Sequence, residues 1–296
     1  MYFCIMQITI DNNSGFCFGV VNAIRISEEE LKKDNIACLG DIVHNSREVD
    51  RLKEQELEII SHDDMADWTD KKVLIRAHGE PPSTYRVADI LGVQIVDATC
   101  PIVLKLQHRI RKSYEEMQQI DGQVVIYGKE GHAEVIGLMG QIQGNAILIT
   151  GVKDIDDIDF SRPVRLYSQT TKDPNKYAEI GDLILNRMQK VSGINADFKQ
   201  FNTICNQMAG RAPLLNIFSK EHEVIIFVGG DKSSNAIALF AVCKEANPNS
   251  YFVSDAIGLQ REWFWDVNDV GISGATSTPT WLMGEVANAI QEMTQD

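Results

Sequence analysis

The chain has 296 residues, 44% of them hydrophobic and 24% charged, which is enough for two or three domains with buried cores and excludes both disorder and a metal-dependent mini-fold. A formal net charge of −14 excludes a nucleic-acid binder, whose affinity rests on Lys and Arg neutralising phosphates. It argues equally against an anionic membrane surface as a partner.

The N-terminal stretch MYFCIMQITI has no basic region ahead of its apolar residues, so it reads as a strand and not as a signal peptide. Short apolar runs then alternate with helical patterns to the end of the chain. Strands are expected at 36–40, 72–77, 93–98, 123–128, 146–150, 164–169, 223–229 and 249–255, and helices at 19–33, 101–119 and 280–293. The uncharged run 135–152 is broken by Gln141, Gln143, Asn145 and several glycines, so it is not a membrane span. The acidic stretch 151–163 reads as a surface connection. Alternation of this kind is the signature of parallel sheets covered by helices. The spacing divides it into three α/β lobes of similar size, 1–100, 101–202 and 203–296, with the N-terminal strand free to pair into the last lobe. The chain is expected to be cytoplasmic, with its six cysteines reduced.

Three of those cysteines occupy the same kind of position. Cys17 (SGFCFGV), Cys100 (DATCP) and Cys205 (NTICNQM) each stand between a strand and the start of a helical pattern. A helix N-terminus carries partial positive charge and favours the thiolate that metals require. No CxxC spacing is present, so a structural zinc site is not indicated. Three thiolates are one short of the usual set for a [4Fe–4S] cluster, leaving one iron open. Cys4, Cys38 and Cys243 fall inside apolar patterns and read as core.

Strand-end loops hold the other candidates. His44, His78 and His132 each follow a strand shortly, whereas His62, His108 and His222 read as exposed polar residues. Hydroxyl-rich loops stand at SQTT (168–171), GGDKSSN (229–235) and GATSTP (274–279), each ahead of a helix whose backbone N–H groups suit an anion. Neither a Walker A loop nor a dinucleotide fingerprint occurs, so a small phosphate ester fits better than a nucleotide.

The motifs GFCFGV, HN, AHG, DATCP, GHAEV, SQTT, TIC with a downstream Arg, SSN and GATSTP occur in one order over about 15–290. In this the chain resembles the 4-hydroxy-3-methylbut-2-enyl diphosphate reductase family, which closes the methylerythritol phosphate route to isoprenoids. The resemblance implies three α/β lobes in a pseudo-threefold, trefoil-like arrangement around a central iron–sulfur cluster. It implies that Cys17, Cys100 and Cys205 hold a [4Fe–4S] cluster and that His44, His78, His132, Ser233, Ser234, Asn235 and Ser277 hold the diphosphate. It places Thr170 near the substrate hydroxyl, makes Glu134 the proton donor, with His132 and Thr170 beside it, and requires an external electron donor of ferredoxin or flavodoxin type. Ala133, Ile136, the NQM after Cys205, and Thr276 depart from the family's usual residues. The alternatives on the same scaffold are a cluster-containing hydro-lyase and a non-catalytic iron–sulfur sensor.

Overall fold

A computed structural model describes residues 6–230 and 233–295, without the side chains of Asn195, Ser234 and Gln295. Cys4 lies outside the described residues. The fold is α/β, with three parallel four-stranded sheets. The first contains β2 (Ile36–Leu39), β3 (Glu58–Ile60), β4 (Lys72–Ile75) and β5 (Gln94–Asp97), in the order β3-β2-β4-β5. The second contains β6 (Gln123–Tyr127), β7 (Ile147–Ile149), β8 (Val164–Ser168) and β9 (Phe198–Gln200), in the order β7-β6-β8-β9. The third contains β10 (Val224–Val228), β11 (Ser250–Val253) and β12 (Asp269–Gly274), in the order β11-β10-β12-β1, with the N-terminal β1 (Gln7–Ile10) in fourth place. All three orders are therefore second-first-third-fourth. β1 reaches its place across the whole chain, pairing Gln7 with Asp269 through Ile10 with Ile272.

The chain divides into two compact units. One comprises Met1–Glu28, Asp41–Glu56 and Gly210–Asp296 and holds the third sheet. Both faces of that sheet are covered, so its strands are continuous apolar runs and not alternating ones. In VIIFV, Val224, Ile226 and Val228 face Leu282, Met283, Val286 and Ile290 of α9 (Thr280–Gln295), while Ile225 and Phe227 face Leu239 and Cys243 of α8 (Ser234–Ala246).

The other unit comprises Glu29–Gly40 and Leu57–Ala209 and holds the first two sheets. In QVVIY, Val124 and Ile126 pack on α4 (Pro101–Gln118) and α5 (Ala133–Gly140), and Val125 and Tyr127 pack on α6 (Pro174–Ser192). α3 (Pro82–Leu91) covers one face of the first sheet through Ala88, with Met65 and Trp68 beside it. The stretch 151–163 connects β7 to β8 with mostly exposed or half-buried residues, and its 3-10 turn (Val152–Asp157) also inserts Ile155 into the α6 core, with Ile158 following. One expectation needs correction. His222 is not an exposed polar residue: its side chain is 9% exposed, lies against the Phe218 ring at a tilt of 60° and pairs through Nδ1 with Asp269 at 2.7 Å. No described helix is long and apolar enough to cross a membrane.

Candidate active site

Ligands of open parallel sheets bind beyond the carboxyl ends of the strands, where neighbouring connections leave in opposite directions. In each sheet here that point lies between the first and third strands. His44 follows β2 and His78 follows β4. His132 and Glu134 follow β6, and Thr170 follows β8. Ser233, Ser234 and Asn235 follow β10, and Ser277 follows β12. The fourth strands, β1, β5 and β9, lead to Cys17, Cys100 and Cys205.

Each of these cysteines directly precedes a helix: α1 (Phe18–Leu31), α4 and α7 (Asn206–Glu221). Their carbonyls accept the first helical bonds, from Val21 at 3.0 Å, Leu104 at 3.0 Å and Ala209 at 2.9 Å. All three are partly exposed and none is in a disulfide, whereas Cys38 and Cys243 are buried. Burial pushes the Cys243 thiol up to about 11, the behaviour of an inert core cysteine.

Within the unit holding the first two sheets, the loops after β6, β8 and β9 form one hydrogen-bonded group, which the loop after β4 meets through a ring contact. The His132 ring caps α5, its Nδ1 accepting from the Glu134 N–H at 3.1 Å, and it meets the His78 ring edge to face at 5.2 Å. Gly79 next to His78 has φ +70°, and a Cβ there would stand 2.7 Å from Gln107 Nε2, so this loop demands glycine twice over. Glu134 is 1% exposed. Its Oε1 accepts from the Thr170 N–H at 2.7 Å and its Oε2 from the Thr170 hydroxyl at 2.8 Å. The Thr170 carbonyl accepts from the Cys205 N–H at 2.9 Å, so Glu134, Thr170 and the Cys205 backbone are linked in series. Burial raises the Glu134 carboxyl to about 7, against the two Thr170 bonds that favour its ionised form. An acid near 7 suits proton transfer at neutral pH. A hydroxyl both donates and accepts, so Thr170 keeps its contact with Glu134 in either protonation state.

The unit holding the third sheet has its own polar group. Asn45 caps α2 (Ser46–Lys53), accepting from the Glu48 N–H at 3.2 Å. Glu48, buried, is gripped by Arg51 at 2.6 Å and by Trp281 Nε1 at 2.8 Å, which fixes the helix behind His44. A Cβ on Gly230 would stand 2.8 Å from the His44 carbonyl, so the glycine permits this close approach. Ser233 caps α8 and its hydroxyl is 3.3 Å from that of Ser277, both buried. Asn235 Nδ2 donates to Thr276 Oγ1 at 2.9 Å, and the Thr276 carbonyl accepts from the Cys17 N–H at 3.3 Å. The Ser234 side chain lies outside the described set.

Two residues here have no assigned role in the sequence reading. Thr276, noted there only as a departure, is the group that joins Asn235 to the Cys17 loop. Arg211 donates from Nη2 to the Gly15 carbonyl at 2.7 Å, two residues before Cys17, while its buried Nη1 has no hydrogen-bond partner among the described residues. Burial pulls its pKa down, opposed by the charges of Asp11 and Cys17. Its downstream position after TIC was the available signal, but only the contact shows what it holds.

Comparison with known proteins gives a consistent answer. The family model described as LytB protein matches residues 8–291. The 4-hydroxy-3-methylbut-2-enyl diphosphate reductase of Porphyromonas gingivalis is 49% identical, with 98% of this chain and 100% of the relative covered. That of Bacteroides fragilis is 48% identical, covering 97% and 98%. Among solved structures, (E)-4-hydroxy-3-methyl-but-2-enyl diphosphate reductase, described as the terminal enzyme of the non-mevalonate pathway, matches with a TM-score of 0.74 at 33% identity over 97% of this chain and 99% of that one. The Plasmodium falciparum E-1-hydroxy-2-methyl-but-2-enyl-4-diphosphate reductase matches with a TM-score of 0.80 at 25% identity over 96% and 87%.

Proposed function

The chain belongs to the LytB protein family of 4-hydroxy-3-methylbut-2-enyl diphosphate reductases and is an oxidoreductase, and we propose that it reductively removes the hydroxyl group of that diphosphate to give isopentenyl and dimethylallyl diphosphate. The allylic C–O bond breaks, the hydroxyl takes up one proton and leaves as water, and two electrons and a second proton enter the allyl carbons. The observation that carries this reading is Glu134, a buried acid tuned to about 7 and hydrogen-bonded to Thr170, whose carbonyl holds the Cys205 loop.

The residues fit an iron–sulfur cluster. Cys17, Cys100 and Cys205 supply soft thiolate ligands at helix N-termini, and three of them suit a [4Fe–4S] cluster with one open iron. A buried guanidinium N–H without a partner costs about 1–3 kcal/mol, and Arg211 Nη1 beside Cys17 is such a group, suited to a sulfur acceptor. When bound, the cluster supplies single electrons and a Lewis-acidic iron for the substrate hydroxyl. His44, His78, His132, Ser233, Ser234, Asn235 and Ser277 bind the diphosphate with neutral or titratable donors. Thr170 orients the substrate hydroxyl, with His132 beside it, and Glu134 delivers the proton. The electrons come from a ferredoxin- or flavodoxin-type protein, and the enzyme works in the cytoplasm.

Anaerobically reconstituted protein is expected to hold about four irons per chain and to convert the diphosphate only when a one-electron reductant is supplied. Stoichiometric zinc, or turnover without a reductant, overturns the reading; the second outcome is that of a hydro-lyase. Arg211→Gln should keep the cluster but lower its midpoint potential, because removing a positive N–H donor near sulfur disfavours the reduced, more negative state. The shift is on the order of 50 mV, the equivalent of about 1 kcal/mol for one electron, and is read by an anaerobic redox titration.

A further inference from the structure

A basic patch next to a candidate cysteine stands out in this acidic chain. There are 42 Asp and Glu residues, yet none occurs in 98–114 or in 198–209. The first segment is the start of α4 and carries Lys105, Arg109, Arg111 and Lys112, and the second carries Lys199. Lys105, Arg109 and Lys112 recur at i, i+4 and i+7, which puts them on one helix face, and all three are exposed. Several cations elsewhere are paired, as in Lys72 with Glu30 and Arg165 with Asp197. Among the described residues no carboxylate lies within ion-pair distance of Lys105, Arg109 or Lys112; Arg109 stands over the Phe201 ring at 5.7 Å.

This patch lies against a cysteine. Lys105 and Arg109 line a cavity of about 400 Å³ whose other wall is 202–207, Cys205 included. Cys100 stands at the N-terminal end of the same helix, and at 1.5 Å per residue Lys105 is only about 7 Å further along the axis. Ile102 and Leu104, each 43% exposed, add apolar area at that end. Cations around a small apolar centre are what a transient interface for an acidic partner needs.

Resting on the reductase reading above, we propose that this face of α4 is the docking surface for the electron donor, a small acidic protein carrying a one-electron centre near its surface. Redox encounters of this kind bury little area and rely on charge to bring the centres together quickly. A net charge of −14 would otherwise repel such a donor, so the basic patch decides where it lands. The cavity leads it to the Cys205 loop.

The test compares the wild-type holoenzyme with Lys105→Glu/Lys112→Glu, and with Lys176→Glu/Lys190→Glu on α6 as a control of equal charge change at exposed sites. The rate of reduction by an acidic [2Fe–2S] ferredoxin is measured anaerobically at about 0.01 M and about 1 M salt, alongside turnover driven by reduced methyl viologen. The α4 variant should lose roughly tenfold or more in its ferredoxin rate constant at low salt, and the difference should vanish at high salt. Its viologen-driven turnover and iron content should not fall, and the α6 control should keep the ferredoxin rate. An unchanged ferredoxin rate, an equal loss in the control, or a parallel loss with viologen overturns the docking surface. If iron incorporation drops, Lys105→Gln/Lys112→Gln repeats the comparison with no charge reversed. Absence of viologen-driven turnover in the wild type is a different failure and counts against the reductase reading itself.

Discussion

Replacing Cys17, Cys100 or Cys205 by serine is expected to abolish stable iron incorporation and with it all reductive turnover, while Cys38→Ser and Cys243→Ser should leave both in place. The contrast rests on burial and position. Cys38 and Cys243 are buried in core packing, where a hydroxyl costs about 1–3 kcal/mol of stability but removes no ligand. The other three are partly exposed, directly precede α1, α4 and α7, and follow the fourth strand of each sheet. Serine is a hard, weakly acidic ligand in place of a soft thiolate, and a cluster held by the three proposed ligands could not spare one. Iron and acid-labile sulfide per chain after anaerobic reconstitution give the measurement. Full iron in any one of the three serine variants removes that cysteine from the ligand set.

Glu134→Gln is expected to retain iron and substrate affinity and to lose about 10²- to 10⁴-fold in turnover, the range for removing a general acid. Glutamine preserves the shape and still accepts from the Thr170 N–H, so the loop that holds Cys205 keeps its anchor. A loss in kcat with little change in substrate affinity is the mark of an interaction made in the transition state. The pH dependence follows from the same group. With its pKa at about 7, wild-type Glu134 is protonated below that value, so turnover should fall about tenfold per unit above it, and the glutamine variant should lack this limb. Stability moves in the same direction. A carboxyl raised from 4.5 to about 7 on folding contributes stability that is complete below 4.5 and lost as the pH rises through about 7. Denaturation midpoints of wild type and Glu134→Gln between pH 4 and 8 check this. A wild-type midpoint that rises over that window relative to the variant contradicts the assignment.

The alternation of apolar runs with helical patterns, and the position of Cys17, Cys100, Cys205, His44, His78, His132 and the hydroxyl loops beyond strand ends, are legible in the sequence. They are legible because strands buried on both faces need continuous apolar runs, such as VIIFV and QVVIY, and leave polar residues only where the chain emerges. Helix starts are equally visible, since Pro101 and Ser233 signal the first turns chemically. Two short edge strands are not visible. β3 and β9 have three residues each, and FKQ has no periodicity, so β9 exists only through its pairing with β8. Nor does a local pattern show that β1 completes the third sheet beside β12, a pairing between opposite ends of the chain. That pairing is what gives all three sheets one order and puts a cysteine after each fourth strand. The sequence by itself determined the class of fold, the family and the residue types of the site, because these are properties of composition and order. Tertiary structure alone decided that Glu134 is sealed against Thr170 and so holds its proton near neutrality, that Arg211 grips the Cys17 loop with one N–H left over, and that Ile155 closes a core. Each of these depends on desolvation and on partners distant in sequence, which no local pattern encodes.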